Sequence, residues 1–198
     1  MRVACRFAKV PFYLALFLVL ALSACSDGQS PETMVPCGGQ PDLHEHMEPI
    51  QAALDFDVLV PTYLPATTSS IPEPTLYPLR DEIEILFARC PDIASGVPGP
   101  QIQITETTQE LRLADPGSSL PSTERLEIRG ASALITQGSS GDTALLGIGW
   151  QQAGLSLSAT FMWGSRDGTP PEITPEMKAE ALRVVESIIE QGEATGSG

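Results

Sequence analysis

The sequence predicts an α+β fold: a curved, mainly antiparallel sheet of about six to seven strands with an N-terminal helix and a C-terminal helix packed on it. Three observations predict it. Residues 82–88 and 101–107 alternate apolar with polar side chains, the period of a strand with one buried face. Two longer strand-like runs, 144–151 and 155–163, are joined through Gln152-Ala153-Gly154, a hairpin-length connection with a glycine for a positive φ. Near the C-terminus Met177, Ala181, Val184, Val185, Ile188 and Ile189 recur at the spacing of one helix face.

The elements follow in order. Residues 25–41 are rich in Ser, Pro, Gly and Gln without apolar periodicity and read as a flexible tether. In 42–54, Leu43, Met47, Ile50, Ala53 and Leu54 suit one helix face, and Pro49 either starts that helix or breaks it. Residues 56–60 read as a strand, ended by Pro61-Thr62-Tyr63-Leu64-Pro65. The stretch 66–78, crowded with Pro, Ser and Thr, reads as a loop with a short extended piece at 75–77. Strand 82–88 sets Ile83, Ile85 and Phe87 opposite Glu82 and Glu84. A Gly/Pro loop at 91–100 leads to strand 101–107, which carries Ile102 and Ile104, and Asp115-Pro116-Gly117 marks a turn.

Further strands are expected at 125–129, with Leu126 and Ile128, and at 131–137, with either Ala133 and Ile135 or Leu134 turned inward. Trp150 and Trp163 belong to the core or its rim, and Gly147-Ile148-Gly149 marks a bulge or a close approach. Thr174-Pro175-Glu176 opens the last helix with a capping hydroxyl, a proline in the first turn and an acid at the positive end of the dipole. Its stripe runs to about Gln191. The chain thus divides into a leader, 1–24, the tether, a single domain at 42–191, and a disordered tail at 192–198.

The chain has 25 Asp+Glu against 11 Lys+Arg, a net charge of −14. Three of the bases, Arg2, Arg6 and Lys9, fall within the first 24 residues, so the remainder carries 8 bases and a net of −17. Nucleic acids are bound chiefly through phosphate neutralisation by Lys and Arg. A segment whose one lysine is Lys178 does not supply it, and no nucleic-acid partner is expected. The acidity reads as solubility and colloidal repulsion, because no Asp-rich calcium loop accompanies it.

The basic n-region, the apolar run 10–21 and the small residues before Cys25 have the layout of a secretory leader. A membrane-spanning helix needs about 20 apolar residues, more than this run offers. Leu22-Ser23-Ala24-Cys25 resembles the lipobox of bacterial lipoproteins. The resemblance implies cleavage before Cys25 and lipid on its sulfur; the alternatives are a plain secretory signal cleaved after Ala24 and an uncleaved anchor. Each buried CH₂ contributes about 0.8 kcal/mol, so two or more acyl chains hold a domain firmly. Ser26, not Asp27, follows the cysteine, and by resemblance to known sorting rules this favours the outer membrane in a Gram-negative cell. Otherwise the outer face of the cytoplasmic membrane is implied.

With Cys5 in the leader and Cys25 lipidated, Cys37 and Cys90 remain as one pair. In an oxidising compartment a disulfide is the default, contributing roughly 4 kcal/mol at most in a chain-entropy account; the alternative is two free thiols.

Candidate chemistry is sparse. His44 and His46 are the only histidines. Their H-x-H spacing puts both on one face of a strand, not of the helix expected there, and no second ligand cluster appears, so no metal is assigned. Gly138-Ser139-Ser140-Gly141 is a turn and not a nucleophile elbow. No phosphate loop or dinucleotide glycine pattern occurs. Asp55 and Asp57 are too common a pair to mark a glycosidase. No catalytic residue and no cofactor are assigned.

The order of Val60-Pro61-Thr62-Tyr63-Leu64-Pro65, Ile102-Gln103-Ile104-Thr105-Glu106, Glu127-Ile128-Arg129-Gly130-Ala131, the Trp150 hairpin and Val185-Glu186-Ser187-Ile188 resembles an uncharacterised domain of bacterial lipoproteins, anti-sigma-factor-like and lipoprotein-sorting-like envelope proteins. The resemblance covers residues 56–189. It bears on fold and carries over no catalytic residue. With the lipobox, the expected function is that of a lipid-anchored envelope lipoprotein with a non-catalytic binding, sensing or scaffold domain, held to a membrane through Cys25 and partnered by an envelope protein or an apolar ligand. The alternative is a carrier of an acyl chain or other apolar ligand between sheet and C-terminal helix. A hydrolase using His44 or His46 ranks third.

Overall fold

Eight strands form one antiparallel sheet, in the order β1-β2-β3-β4-β8-β7-β6-β5. They are β1 (Cys37–Gly39), β2 (Leu64–Tyr77), β3 (Glu82–Arg89), β4 (Gln101–Thr107), β5 (Ser122–Ile128), β6 (Ala131–Ser140), β7 (Thr143–Gln152) and β8 (Leu155–Gly164). An eight-residue helix, α1 (His44–Gln51), holds Pro49 within it, and a long helix, α2 (Pro175–Thr195), follows the last strand. The computed structural model describes residues 37–41, 44–78, 81–90, 99–109, 122–165 and 167–195. The stretches read from the sequence as leader, lipid-acceptor Cys25, most of the tether and a turn at Asp115-Pro116-Gly117, and residues 196–198, lie outside the described residues.

The sheet is two four-strand meanders joined along β4 and β8. That seam runs in register from Gln101↔Met162 to Thr107↔Ser156. Within each meander, neighbours in sequence pair as neighbours in space. Two of the tight connections, Arg129–Gly130 and Ala153–Gly154, place both central residues at positive φ, at 48° and 85° and at 51° and 81°. That is the twist-compatible geometry for a two-residue hairpin.

The strand period divides the sheet into an apolar and a polar face. Ile83, Ile85 and Phe87 of β3 align with Ile102 and Ile104 of β4, then with Leu157, Ala159 and Phe161 of β8, Leu146, Ile148 and Trp150 of β7, and Ala133 and Ile135 of β6. All are buried. The two tryptophans sit in this core, each 2% exposed, and Trp163 stacks on Phe161 with centroids 6.0 Å apart. Helix α2 covers the apolar face with Ala181, Val184, Val185, Ile188 and Ile189. Each large side chain so buried contributes about 1.5–3 kcal/mol. Thr174 caps the helix by accepting the Met177 N–H at 3.3 Å.

Several expectations are corrected. Among the described residues the sheet has eight strands, more than the six to seven expected. Of the stretch read as a loop at 66–78, residues 66–77 belong to β2, the longest described strand at 14 residues, and the extended piece expected at 75–77 is its end. Its prolines misled. β1 meets β2 only at Ser69 and Leu64, so Pro72 and Pro74 lie where β2 is the sheet edge, and there a missing N–H costs no ladder bond. A bulge between Thr68 and Pro72 breaks the alternation as well. Residues 56–60 are not a strand. Gly147 sits in regular register opposite Thr136, so it marks a close approach and no bulge; a Cβ there would come within 2.7 Å of the Thr136 hydroxyl. Helix α2 continues past Gln191 to Thr195.

Cys37 and Cys90 form a disulfide, with Cα atoms 6.1 Å apart. It ties β1 to the end of β3, across β2.

Candidate functional site

Residues 55–63 form a strap between α1 and β2. Val58, Leu59 and Val60 are all buried, without the alternation of a half-buried strand, and they pair with no strand. Their amides are given to side chains instead. Gln51 accepts the Val58 N–H at 2.8 Å and donates its own amide to the Phe56 carbonyl at 2.7 Å. Glu106 accepts the Leu59 N–H, with its two oxygens at 3.0 and 3.1 Å. Gln191 accepts the Val60 N–H at 2.6 Å. Ser187 accepts the Thr62 and Tyr63 amides at 3.2 and 3.3 Å and donates its hydroxyl to the Val184 carbonyl at 2.7 Å. At the far end Tyr63 lies under the Arg183 guanidinium, 4.2 Å from its ring centroid, a cation–π contact. Pro61 has no N–H to place.

Glu106 is the unusual member. Strand β4 places it on the apolar face, two residues beyond Ile104, with Ile83 of β3 on one side and Leu157 of β8 on the other. Its residue exposure is 0%. Among the described residues the Leu59 amide is its one hydrogen-bond donor. Burial pushes its carboxyl up from 4.5 to about 8, and the Leu59 hydrogen bond opposes that shift only in part. The neutral acid therefore predominates in neutral water, and its proton is exchangeable over the physiological range. Such a group can couple proton uptake to the position of the strap.

Outside the strap the surface is hollowed next to the β7–β8 hairpin. A hollow of about 470 Å³ is lined by Gln51, Leu54, Phe56, Leu59 and Leu155, with Asp55 and Asp57 among its walls. A second, of about 390 Å³, lies against Gln151, Gln152 and Ser156; both touch Ala153 and Leu155. The pair is of ligand-binding size. Gln152 of the hairpin donates to the Ile189 carbonyl at 2.8 Å and accepts from the Trp150 indole at 3.4 Å, which fixes the hairpin against α2.

The residues singled out in the sequence are dispersed. Asp55 and Asp57 come together on the exposed side of the strap. Ser139 and Ser140 end β6, and Gly141 follows at φ 60°. His44 and His46 lie in α1, their side chains outside the described set. Among the described residues no three His, Cys, Asp or Glu gather as a metal site, and no helix is long and apolar enough to cross a membrane. Glu106, Gln191 and Ser187 were not singled out as site residues. For Glu106 the signal was present: Ile102, Ile104 and Glu106 share one strand face by period two.

Compared with known protein families, curated proteins and solved structures, the chain matches none.

Proposed function

We propose that this chain is a lipid-anchored lipoprotein of the bacterial cell envelope, and that its domain is a non-catalytic binding, sensing or scaffold module. The observation that carries the anchoring is Leu22-Ser23-Ala24-Cys25 at the end of a short apolar run behind three basic residues. The acidity of the rest of the chain fits an anchor made of acyl chains, since anionic headgroups repel an acidic body. The binding role is supported by the paired hollows beside the β7–β8 hairpin, which combine apolar walls with carboxylates and side-chain amides.

The carrier reading is supported by a different observation. The apolar face is continuous from β3 to β6 beneath α2 and the strap. Side chains fill that space in the structure, so a chain-like ligand enters only if the strap or α2 moves.

Fractionation of cells followed by mass analysis of the purified mature protein tests the anchoring. Lipid on Cys25 and recovery with membranes are expected, and Cys25→Ala leaves the leader in place. A soluble mature protein with an unmodified Cys25 sinks this reading. Native purification in mild detergent reports a co-purifying protein or an apolar ligand directly.

A further inference from the structure

We propose that the strap at residues 55–63 is a pH-sensitive latch, held shut over the apolar sheet face by neutral Glu106 and released when that carboxyl ionises. The latch goes beyond the binding role proposed above and stands independently of it.

The geometry makes the strap separable from the sheet. Five of its amides, those of Val58, Leu59, Val60, Thr62 and Tyr63, are held by side chains of α1, β4 and α2. None is part of a strand ladder, so the strap can lift while every β-pairing stays intact. Of the side chains that take its amides, Glu106 alone titrates; at the exposed end of the strap Arg183 and Glu180 of α2 meet the Tyr63 ring and hydroxyl.

The surroundings of Glu106 leave its charge uncompensated. On the sheet it is flanked by Ile83, Ile104 and Leu157, and the strap covers it with Leu59. Helix α2 closes on Leu59 through Gly192, where a Cβ would lie 3.0 Å from Leu59 Cδ1. None of these groups titrates. The charged groups on the same elements leave Glu106 without a cation beside it: Arg89, the one base of β3, is exposed at the strand's far end next to Gly164, six residues from Ile83. Asp55 and Asp57 of the strap are acidic and exposed, Glu82 and Glu84 of β3 belong to the opposite face, and β8 has no charged residue. On α2, the Arg183 cation is taken up by Tyr63, Lys178 pairs with Glu124, and Glu190 and Glu193 pair with Arg129. Glu48 of α1 adds another exposed acid.

An ionised carboxylate offers about four acceptor sites, and one amide cannot replace the water removed from it. Lifting the strap restores that water. The raised value of about 8 for the closed form, against 4.5 in water, supports the sign. Opening is least favoured below the ordinary value. It grows by up to about tenfold per pH unit through the window between the two values, and it levels off above the upper one.

Amide hydrogen exchange on the full mature chain, divided by the intrinsic rate at each pH, reads the latch. Protection of Val58, Leu59 and Val60 is expected to fall towards tenfold per unit between about pH 5 and 8, from a level well below that of Leu146 and Ile148 in β7, whose exchange reports global unfolding. Glu106→Gln, which still accepts the Leu59 amide but does not ionise, removes the slope. Ser187→Ala lowers protection across the strap at every pH and leaves the slope in place. That second variant keeps the test decisive should Glu106→Gln fail to fold. A flat profile in the parent overturns the latch. So does strap protection equal to that of β7 at each pH, which is opening by global unfolding alone, and so does an unchanged slope in Glu106→Gln.

Discussion

Gln152 at the tip of the β7–β8 hairpin donates its side-chain amide to the carbonyl of Ile189 in helix α2, at 2.8 Å. Gly192, one turn on, is where that approach is closest. A Cβ there would come within 2.8 Å of Gln152 Cδ and 3.0 Å of Leu59 Cδ1. Glycine in a helix is ordinarily a weak point, and alanine gains about 1 kcal/mol. At this position the gain is outweighed. The methyl group dislodges Gln152 and crowds Leu59, with an overpacking cost of about 1–3 kcal/mol and a lost hydrogen bond of about 1 kcal/mol. Gly192→Ala is therefore expected to lower stability by roughly 1–3 kcal/mol in urea denaturation; a more stable variant refutes this account of the junction.

Global stability should depend on pH through Glu106 in a direction opposite to that of most carboxylates. Its value is raised on folding, so the stability it contributes is full below 4.5 and is lost as pH rises towards about 8. Glu106→Gln removes this loss. The difference between variant and parent should grow with pH by up to about 1.4 kcal/mol per unit in that window. Denaturation midpoints measured at several pH values check it, and a constant difference contradicts the burial argument.

Ser187 serves two amides at once. Ser187→Ala leaves the Thr62 and Tyr63 N–H groups without their acceptor in a half-buried place, at a cost of about 1–3 kcal/mol. Arg183→Ala, which removes only the cation over Tyr63, should cost about 0.5–1 kcal/mol. Thermal melts of the two variants rank them, and a reversed ranking contradicts the assignment of Ser187 as the main clasp.

The disulfide closes a loop of 53 positions and tethers the three-residue β1 to the sheet. Replacing Cys37 and Cys90 together by serine should lower stability by about 2–4 kcal/mol. Thiol labelling with and without reductant, read by mass, verifies the bond in the parent. Loss of exchange protection confined to β1 and the bulged part of β2 is expected in the double variant.

Much of the sheet was legible because its strands obey a simple rule. In β3, β4, β7 and β8 one face is apolar and the other small or polar, and the alternation survives in the sequence. The C-terminal helix was equally plain, since Thr174, Pro175 and the stripe to Ile189 all agree. Strand β2 was hidden because three prolines and a bulge erase its period, and only the neighbour at the edge explains why they are tolerated. The strap was misread because Val58-Leu59-Val60 is as apolar as a strand. What decides its state is the set of distant side chains, Glu106 and Gln191, that take its amides. The candidate site was illegible for the same reason: its parts are 47 and 131 positions apart and meet only in the folded chain.

Among the described residues the seam between β4 and β8 joins the strands farthest apart in sequence. Apart from β1 and β2, whose connection holds α1 and the strap, the other pairings close shorter loops, which is entropically cheap, so most of each meander can zip up on its own before the halves meet. Glu106 stands on that seam opposite Leu157. The step that unites the halves is thus also the step that strips water from a carboxyl group. Refolding kinetics should carry the imprint of that dehydration, with docking of the two meanders fastest in mild acid, where the group arrives already uncharged.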